Sequence, residues 1–350
     1  MLETFTQQLA AKISLDAGQV AGCVELLTDA GVAASTKAEF LVALAQKGET
    51  PEEISAFATA LRDKSIPPPL DPETRAREIL DVVGTGGDRL STFNISTTVA
   101  ILCAAAGVTV AKHGNRAVTS SVGSADVIEA LGIKADLSPE GAARALRQHN
   151  FAFFFAPNFH PAFKHIAAAR KICAGRGQRT IFNILGPLLN PVRPSAMLVG
   201  VPRPELCEPM ACALQSLGIR RGMVVAGEIG NRKSEIGNFL DELSTLGANH
   251  IAEFYQERGF STSILTLENF PLQPAALADL RGGDKWANAE IIRRILHGTE
   301  RGPKRDAVLL NAGAALFVAG KIKSLAEGWE LAAATIDAGD ARKKLAEIAG

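Results

Sequence analysis

Apolar positions along the first 65 residues recur at helical spacing, in "FTQQLAAKI", "AGQVAGCVELLTDAG", "TKAEFLVALAQKG" and "PEEISAFATALRDK". Leu41 and Leu44, then Phe57 and Leu61, fall on apolar stripes, and Thr36 and Thr50 read as helix caps. This helical part is expected to supply packing or a dimer surface rather than chemistry. The prolines of "SIPPPLDPETR" exclude a helix interior or a central strand, so a linker is expected over 66–75. Beyond it the period changes. "EILDVVG", "VTVAKHG", "FAFFFAP", "AMLVGV" and "GMVVAGE" are short buried runs that predict strands. They alternate with "NISTTVAILCAAAG", "SADVIEALG", "PAFKHIAAARKIC" and "PELCEPMACALQSLG", which predict helices. Near the end, "ANAEIIRRILHG", "DAVLLNAGAALFVAGK" and "LAEGWELAAATIDAG" predict three helices closing over the fold.

The pattern predicts a small α-helical domain over 1–75 and a large α/β domain over 76–350, with a mainly parallel sheet flanked by helices. In such sheets ligands bind beyond the carboxyl ends of the strands, so the loops there are the first place to look for chemistry.

Composition narrows the classes. Lys+Arg and Asp+Glu both number 37, and this zero net charge argues against a nucleic-acid partner. The five cysteines form no C-x-x-C pair, which argues against a disulfide framework or structural zinc. The most apolar run, "VAILCAAAGVTVA", is too short to span a membrane, and the N-terminus does not read as a secretory signal. A cytoplasmic protein without a membrane partner is expected.

Three loops carry the candidate chemistry. "DVVGTGGDRLSTFNIS" follows a strand and opens a helix. It lacks the Gly-Lys-Ser/Thr of a Walker loop, and Arg89 stands where a dinucleotide fingerprint needs its third glycine. Its glycines, Gly84, Gly86 and Gly87, let backbone N–H groups approach an anion, and Asn94, Ser96 and Thr97 suit phosphate oxygens at a helix start. Asp88 beside an anion calls for a cation or a hydroxylated sugar between them. "KHGNRAVTSSVGSAD" adds Lys112, His113, Asn115 and Arg116, then Ser120, Gly123 and Ser124 before another helix, a second phosphate candidate. "APNFHPAFKHIAAAR" supplies Pro157, His160, Phe163 and Arg170, an aromatic edge with a guanidinium suited to a flat carboxylate. Asp241 and Glu242 are adjacent hard oxygen donors appropriate to Mg2+ with a polyphosphate.

Taken in order, "GTGGD", "NIST", "KHGNR", "GSADVIEALG", "NFHPAFKH", "RTIFNILGPLLNP" and "LDELS" resemble the anthranilate phosphoribosyltransferase family over most of the chain. The resemblance implies a homodimer formed through the helical domain. It also implies transfer of 5-phosphoribose from phosphoribosyl pyrophosphate (PRPP) to the amine of anthranilate, a step of tryptophan synthesis. It places PRPP at Gly84, Gly87, Asp88, Thr92, Asn94, Ile95, Ser96 and Thr97, and at Lys112, His113, Gly114, Asn115, Arg116, Ala117, Val118, Thr119, Ser120 and Ser124. It places Mg2+ at Ser96, Asp241 and Glu242, and anthranilate at Gly84, Asn115 and Arg170, with His113, Pro157, His160 and Phe163 along the approach.

No residue is assigned as a general base. The chain departs from the family pattern at Ala226, where a histidine is usual, and at Val122, where a hydroxyl is common. It is also longer in "RKICAGRGQRTIFN" and in "EIGNRKSEIGNF", where Gly230 and Gly237 bracket a charged segment expected to act as a mobile lid. A pentosyltransferase with another aromatic acceptor, and a non-catalytic nucleic-acid-binding paralogue, are the alternative readings.

Overall fold

The computed structural model describes residues 2–117, 122–230, 239–255 and 259–350. The chain opens with α1 (Leu2–Ala10), α2 (Ala17–Thr28), α3 (Ala34–Lys47) and α4 (Pro51–Asp63). Thr50 caps α4 as expected: the Glu53 N–H donates to Thr50 Oγ1 at 3.2 Å, and the Thr50 N–H donates back to Glu53 Oε2 at 2.9 Å. Thr36 is not a cap, because α3 begins two residues earlier and Ala33 precedes it. Within the proline-rich linker, Asp71 caps a short helix, α5 (Pro72–Ala76), whose proline sits in the first turn, where its missing N–H costs nothing.

The α/β part runs β1 (Ile79–Gly84), α6 (Ile95–Ala105), β2 (Thr109–Gly114), α7 (Ser124–Ala130), α8 (Pro139–His149) and β3 (Phe151–Phe155). It continues through α9 (Ala156–Phe159), α10 (Ala167–Gly175), β4 (Ala196–Gly200), α11 (Cys207–Ser216) and β5 (Arg221–Glu228). Then come β6 (Phe239–Leu240), β7 (Asn249–Tyr255) and β8 (Gly259–Leu265). The chain ends with α12 (Lys285–Leu296), α13 (Pro303–Val318), α14 (Leu325–Asp337) and α15 (Asp340–Ala349).

The strands lie in the order β3-β2-β1-β4-β5-β7-β8, with β6 beside β5. β1 to β5 are mutually parallel, with Gly84 level with Gly200 and Gly114 level with Phe155. The order reverses between β1 and β4, so a crevice opens at their carboxyl ends.

Alternation along the strands divides the core. Leu198, Met223 and Val225 face a layer containing α6, α7 and α12 to α15. Met197, Val199 and Val224 face the other layer, where α10 and α11 share one apolar cluster with the four N-terminal helices. Ile79, Ala111 and Phe154 pack on α8 through Ala142 and Leu146.

Several elements differ from or extend the expected pattern. "PAFKHIAAARKIC" is not one helix: Pro161–His165 forms a 3-10 turn before α10. β7 and β8 form an antiparallel hairpin on the sheet edge. α8 and α15 were not assigned from the sequence. The expected lid falls mostly on residues 231–238, outside the described residues. No described helix is long and apolar enough to cross a membrane.

Candidate active site at the carboxyl ends of the strands

β1 delivers the glycine-rich loop. Gly86 and Gly87 adopt φ of 74° and 90°, the left-handed region that lacks a steric penalty only for glycine. The loop therefore turns sharply enough for the Gly86 N–H to donate to Asp241 Oδ2 at 2.6 Å. Asp88 folds back on the loop by accepting from the Leu90 N–H at 3.2 Å.

Asn94 precedes α6, and its side-chain oxygen accepts from Asn288 Nδ2 of α12 at 3.0 Å. Ser96 lies in the first turn, where its N–H donates to Glu242 Oε1 at 3.2 Å. Ile95 and Thr97 are buried beneath it, and the Thr97 hydroxyl has no partner among the described residues. Thr92 bridges to Arg281 as an isolated β-pair, tying the loop to the segment before α12.

Asp241 and Glu242 follow β6 and lie in the crevice between β1 and β4. A Cβ on Gly84 would lie 2.2 Å from Asp241 Oδ2, and one on Gly200 would lie 1.5 Å from the Asp241 carbonyl oxygen. Two glycines therefore admit the acidic segment. Desolvation in the crevice raises the Asp241 carboxyl well above its ordinary pKa, and neighbouring Asp88 and Glu242 push it further. Desolvation also raises Glu242, to about 7, while Lys112 pulls the other way. Lys112 is 1 % exposed and donates to the Val82 carbonyl at 2.7 Å and to Ser96 Oγ at 3.3 Å. Burial lowers its pKa against the opposing pull of Asp81 and Glu242.

Among the described residues no group of three or more His, Cys, Asp or Glu side chains forms a ready-made metal site. The donor set nevertheless fits Mg2+, which commonly takes one or two carboxylates and completes its shell with phosphate oxygens and water. Asp241 and Glu242 are partly buried, desolvated acids that share only Lys112 as a nearby cation among the described residues, a charge imbalance that a divalent ion would relieve.

The loop after β2 places Asn115 and Gly114 beside α7: Ser124 Oγ donates to the Asn115 carbonyl at 3.3 Å. Arg116 does not face the glycine loop. Its guanidinium pairs with Asp126 at 3.0 Å and Glu129 at 2.6 Å, and it lies 5.5 Å from the Phe155 ring centre. Ala117 donates its N–H to Asp126 at 3.3 Å. Val118, Thr119 and Ser120 lie outside the described residues.

A run of rings extends from the β2 end toward α10. His113 meets His160 edge-on at 5.3 Å between centres, His160 meets Phe163 at 5.4 Å, and Phe163 meets Phe182 at 5.8 Å. Arg170 closes it, with its guanidinium carbon 5.5 Å from the Phe182 ring centre. Pro157 begins the first turn of α9, just before His160. Burial drives the His113 pKa well below its ordinary value, with His160 adding to the effect, and burial drives His160 to about 4. Both rings are therefore neutral near pH 7. His113 Nε2 is buried without a hydrogen-bond partner among the described residues, while the Gly186 and Leu189 backbones partly offset the lowering at His113 and His160. Arg170 has no ion-pair partner among them either, and burial lowers its pKa.

Other participants escaped the motif reading. Arg179 donates to the Gly87 carbonyl at 2.8 Å and so ties the segment after α10 to the glycine loop. Asn190 donates to Asp81 Oδ2 at 2.9 Å and to the Ala111 carbonyl at 2.8 Å, beneath the loop. Arg179 stands in the lengthened "RGQRTIFN" and Asn190 in "LGPLLNP", so both were in view without an assigned task. Gly200 and Asn288 carried no local signal.

Family models for the helical bundle domain and the a/b domain of the glycosyl transferase family match residues 3–65 and 76–342. An anthranilate phosphoribosyltransferase of Petrotoga mobilis is 42% identical, with 99% of this chain and 96% of that protein covered. The crystal structure of the Thermus thermophilus anthranilate phosphoribosyltransferase superposes with a TM-score of 0.87 at 40% identity, covering 99% and 98%. The Saccharomyces cerevisiae enzyme, in complex with PRPP and Mg, gives 0.85 at 27% identity, covering 99% and 96%. This chain, with its helical bundle and its glycine loop facing a paired-acid turn, belongs to the anthranilate phosphoribosyltransferase family.

Proposed function

We propose that this chain transfers the 5-phosphoribosyl group of PRPP to the amine of anthranilate, giving N-(5-phosphoribosyl)anthranilate and pyrophosphate in tryptophan biosynthesis. One juxtaposition carries the reading. A glycine loop with paired acids stands on one side of the strand ends, and a ring ladder ending in Arg170 on the other, with Arg179 linking them.

On this reading Gly84, Gly87, Asp88, Thr92, Asn94 and the α6 start at Ile95, Ser96 and Thr97 hold the donor. Lys112 to Ala117, with Ser124 and residues 118–120, complete that half. Backbone N–H groups and the helix start receive phosphate oxygens, and Asp88 accepts from the sugar hydroxyls. Ser96, Asp241 and Glu242 would hold Mg2+, which, when bound, spreads the charge of departing pyrophosphate. Arg170 takes the anthranilate carboxylate. Asn115 and the Gly84 backbone lie by the amine, and His113, Pro157, His160 and Phe163 shape the approach.

The transferred ribosyl carbon gains oxocarbenium character as its bond to pyrophosphate breaks, so no protein nucleophile is required. The aromatic amine is neutral at pH 7 and attacks directly. With His113 and His160 neutral, neither ring competes with Arg170 for the carboxylate. The residues therefore work by alignment and by charge stabilisation rather than by general base catalysis. The protein works in the cytoplasm as a homodimer paired through the helical part.

The test is anthranilate fluorescence in the presence of purified protein. Its loss should require PRPP and Mg2+ together, and no loss with all components present would sink the assignment.

A further inference from the structure

The N-terminal helices were expected to supply packing or a dimer surface, yet they place two buried cations against the acceptor side. Lys37 of α3 is 2 % exposed, and its Nζ donates to the Asp29 carbonyl at 2.7 Å and to the His165 carbonyl at 2.8 Å. Arg62 of α4 is 4 % exposed, and its Nε donates to the Leu188 carbonyl at 2.5 Å. A third tie runs nearby, from the Ile66 N–H to the Phe159 carbonyl at 2.8 Å.

Apart from Asp29, these acceptors lie in or beside the ring ladder, since the Gly186 and Leu189 backbones reach His113 and His160. His165 ends the 3-10 turn that carries Phe163, Phe159 precedes His160, and Leu188 lies in the turn Gly186–Leu189. No acidic side chain pairs with Lys37 at ion-pair distance among the described residues. Burying an ammonium whose hydrogen-bond acceptors are carbonyl oxygens costs free energy that an apolar side chain of similar length would avoid, even with Asp29 near enough to favour the charge. What such a group supplies is direction: its hydrogen bonds fix the position of the loop backbone that accepts them.

We propose that Lys37 and Arg62 are positioning residues of the acceptor site. They hold the His160–Phe163 segment and the Gly186–Leu189 turn at the separation that admits a flat aromatic acid. The proposal rests on the transferase reading above. It adds that the helical part sets acceptor affinity while leaving the donor loops alone, since neither cation bonds to them.

The experiment is steady-state kinetics on the full chain, with KM measured separately for anthranilate and PRPP. Lys37→Gln has too short a reach for both carbonyls, and it should raise KM for anthranilate about tenfold while KM for PRPP stays within about twofold. Lys37→Arg restores reach and charge and should return KM for anthranilate to within about threefold of the parent value. Arg62→Lys keeps the charge but shortens the reach, and it should reproduce the same split.

Equal rises in both constants, or no rise in either at Lys37→Gln, would overturn the proposal. So would failure of Lys37→Arg to rescue. An unmodified protein that turns over no anthranilate would instead sink the transferase reading, so the two failures are told apart.

Discussion

Replacing Gly200 with alanine is a test of how closely the acidic turn must sit on the sheet. The added Cβ would fall 1.5 Å from the Asp241 carbonyl oxygen, 2.2 Å from its carbon and 3.0 Å from the Glu242 nitrogen. Ordinary contact needs the backbone of Asp241 to retreat by about 2 Å. That retreat is resisted, because the Leu243 N–H donates to Asn311 Oδ1 at 2.9 Å and Asn311 Nδ2 donates to the Leu243 carbonyl at 2.8 Å. Overpacking of this kind costs about 1–3 kcal/mol of stability.

The larger effect is on chemistry. Displacing the proposed Mg2+ carboxylates by even ~1 Å should lower turnover on the order of 100-fold. Gly200→Ala is therefore expected to fold with a reduced Tm and to lose kcat/KM for PRPP by about two orders of magnitude. Gly175→Ala, where an added Cβ meets nothing within 4 Å, is the matched control and should leave both unchanged. Parent-like kinetics and Mg2+ dependence in Gly200→Ala would refute the claim that the acids act from this position.

Further outcomes follow from the same geometry. Arg170→Ala should raise KM for anthranilate by a factor of about 10–100 while leaving PRPP binding by calorimetry unaltered, as expected for loss of one bidentate carboxylate contact. Burial lowers the His160 pKa from 6.5 to about 4. Above pH 6.5 the ring is neutral folded or unfolded. As pH falls from 6.5 to about 4 the unfolded chain binds a proton that the folded one refuses, which removes up to about 3 kcal/mol. His113 acts in the same direction. Denaturant titrations should therefore show a shallower acid loss in His160→Gln, and an unchanged slope would contradict the burial argument. Asn190→Ala deletes two donors to Asp81 and Ala111 and the acceptor of the Val192 N–H at 2.9 Å, so chemical unfolding should report a loss of about 3 kcal/mol.

What the sequence made legible depended on how local each signal was. The parallel strands read clearly because both their faces are buried, so apolar residues run continuously through "FAFFF" and are broken in "ILDVV" only by the buried Asp81. β8 did not read, because its "GFSTSIL" is mostly exposed at the sheet edge and has no apolar alternation. α8 presents only Ala142, Ala143 and Leu146 to the core, too small a stripe to stand out in "PEGAARALRQH".

The 3-10 turn before α10 was not legible, because Pro161 stands at its first position, where an α-helix start is equally allowed. The glycine loop, the His160–Phe163 edge with Arg170 and the acidic pair were visible as motifs, whereas Phe182 was not. Their assembly was not, since Gly86 and Asp241 meet across 155 positions and Asn94 and Asn288 across 194. Lys37 and Arg62 carried no motif signal in their helices. Only the packing against α10 and the Gly186–Leu189 turn shows that they face inward.

The most direct test of the central claim is stoichiometry. Anthranilate loss by fluorescence and pyrophosphate release by a coupled assay are followed in one reaction with PRPP and Mg2+. The account predicts one pyrophosphate per anthranilate consumed, with neither signal when Mg2+ is withheld. Pyrophosphate release without anthranilate loss, or no release at all, would contradict it.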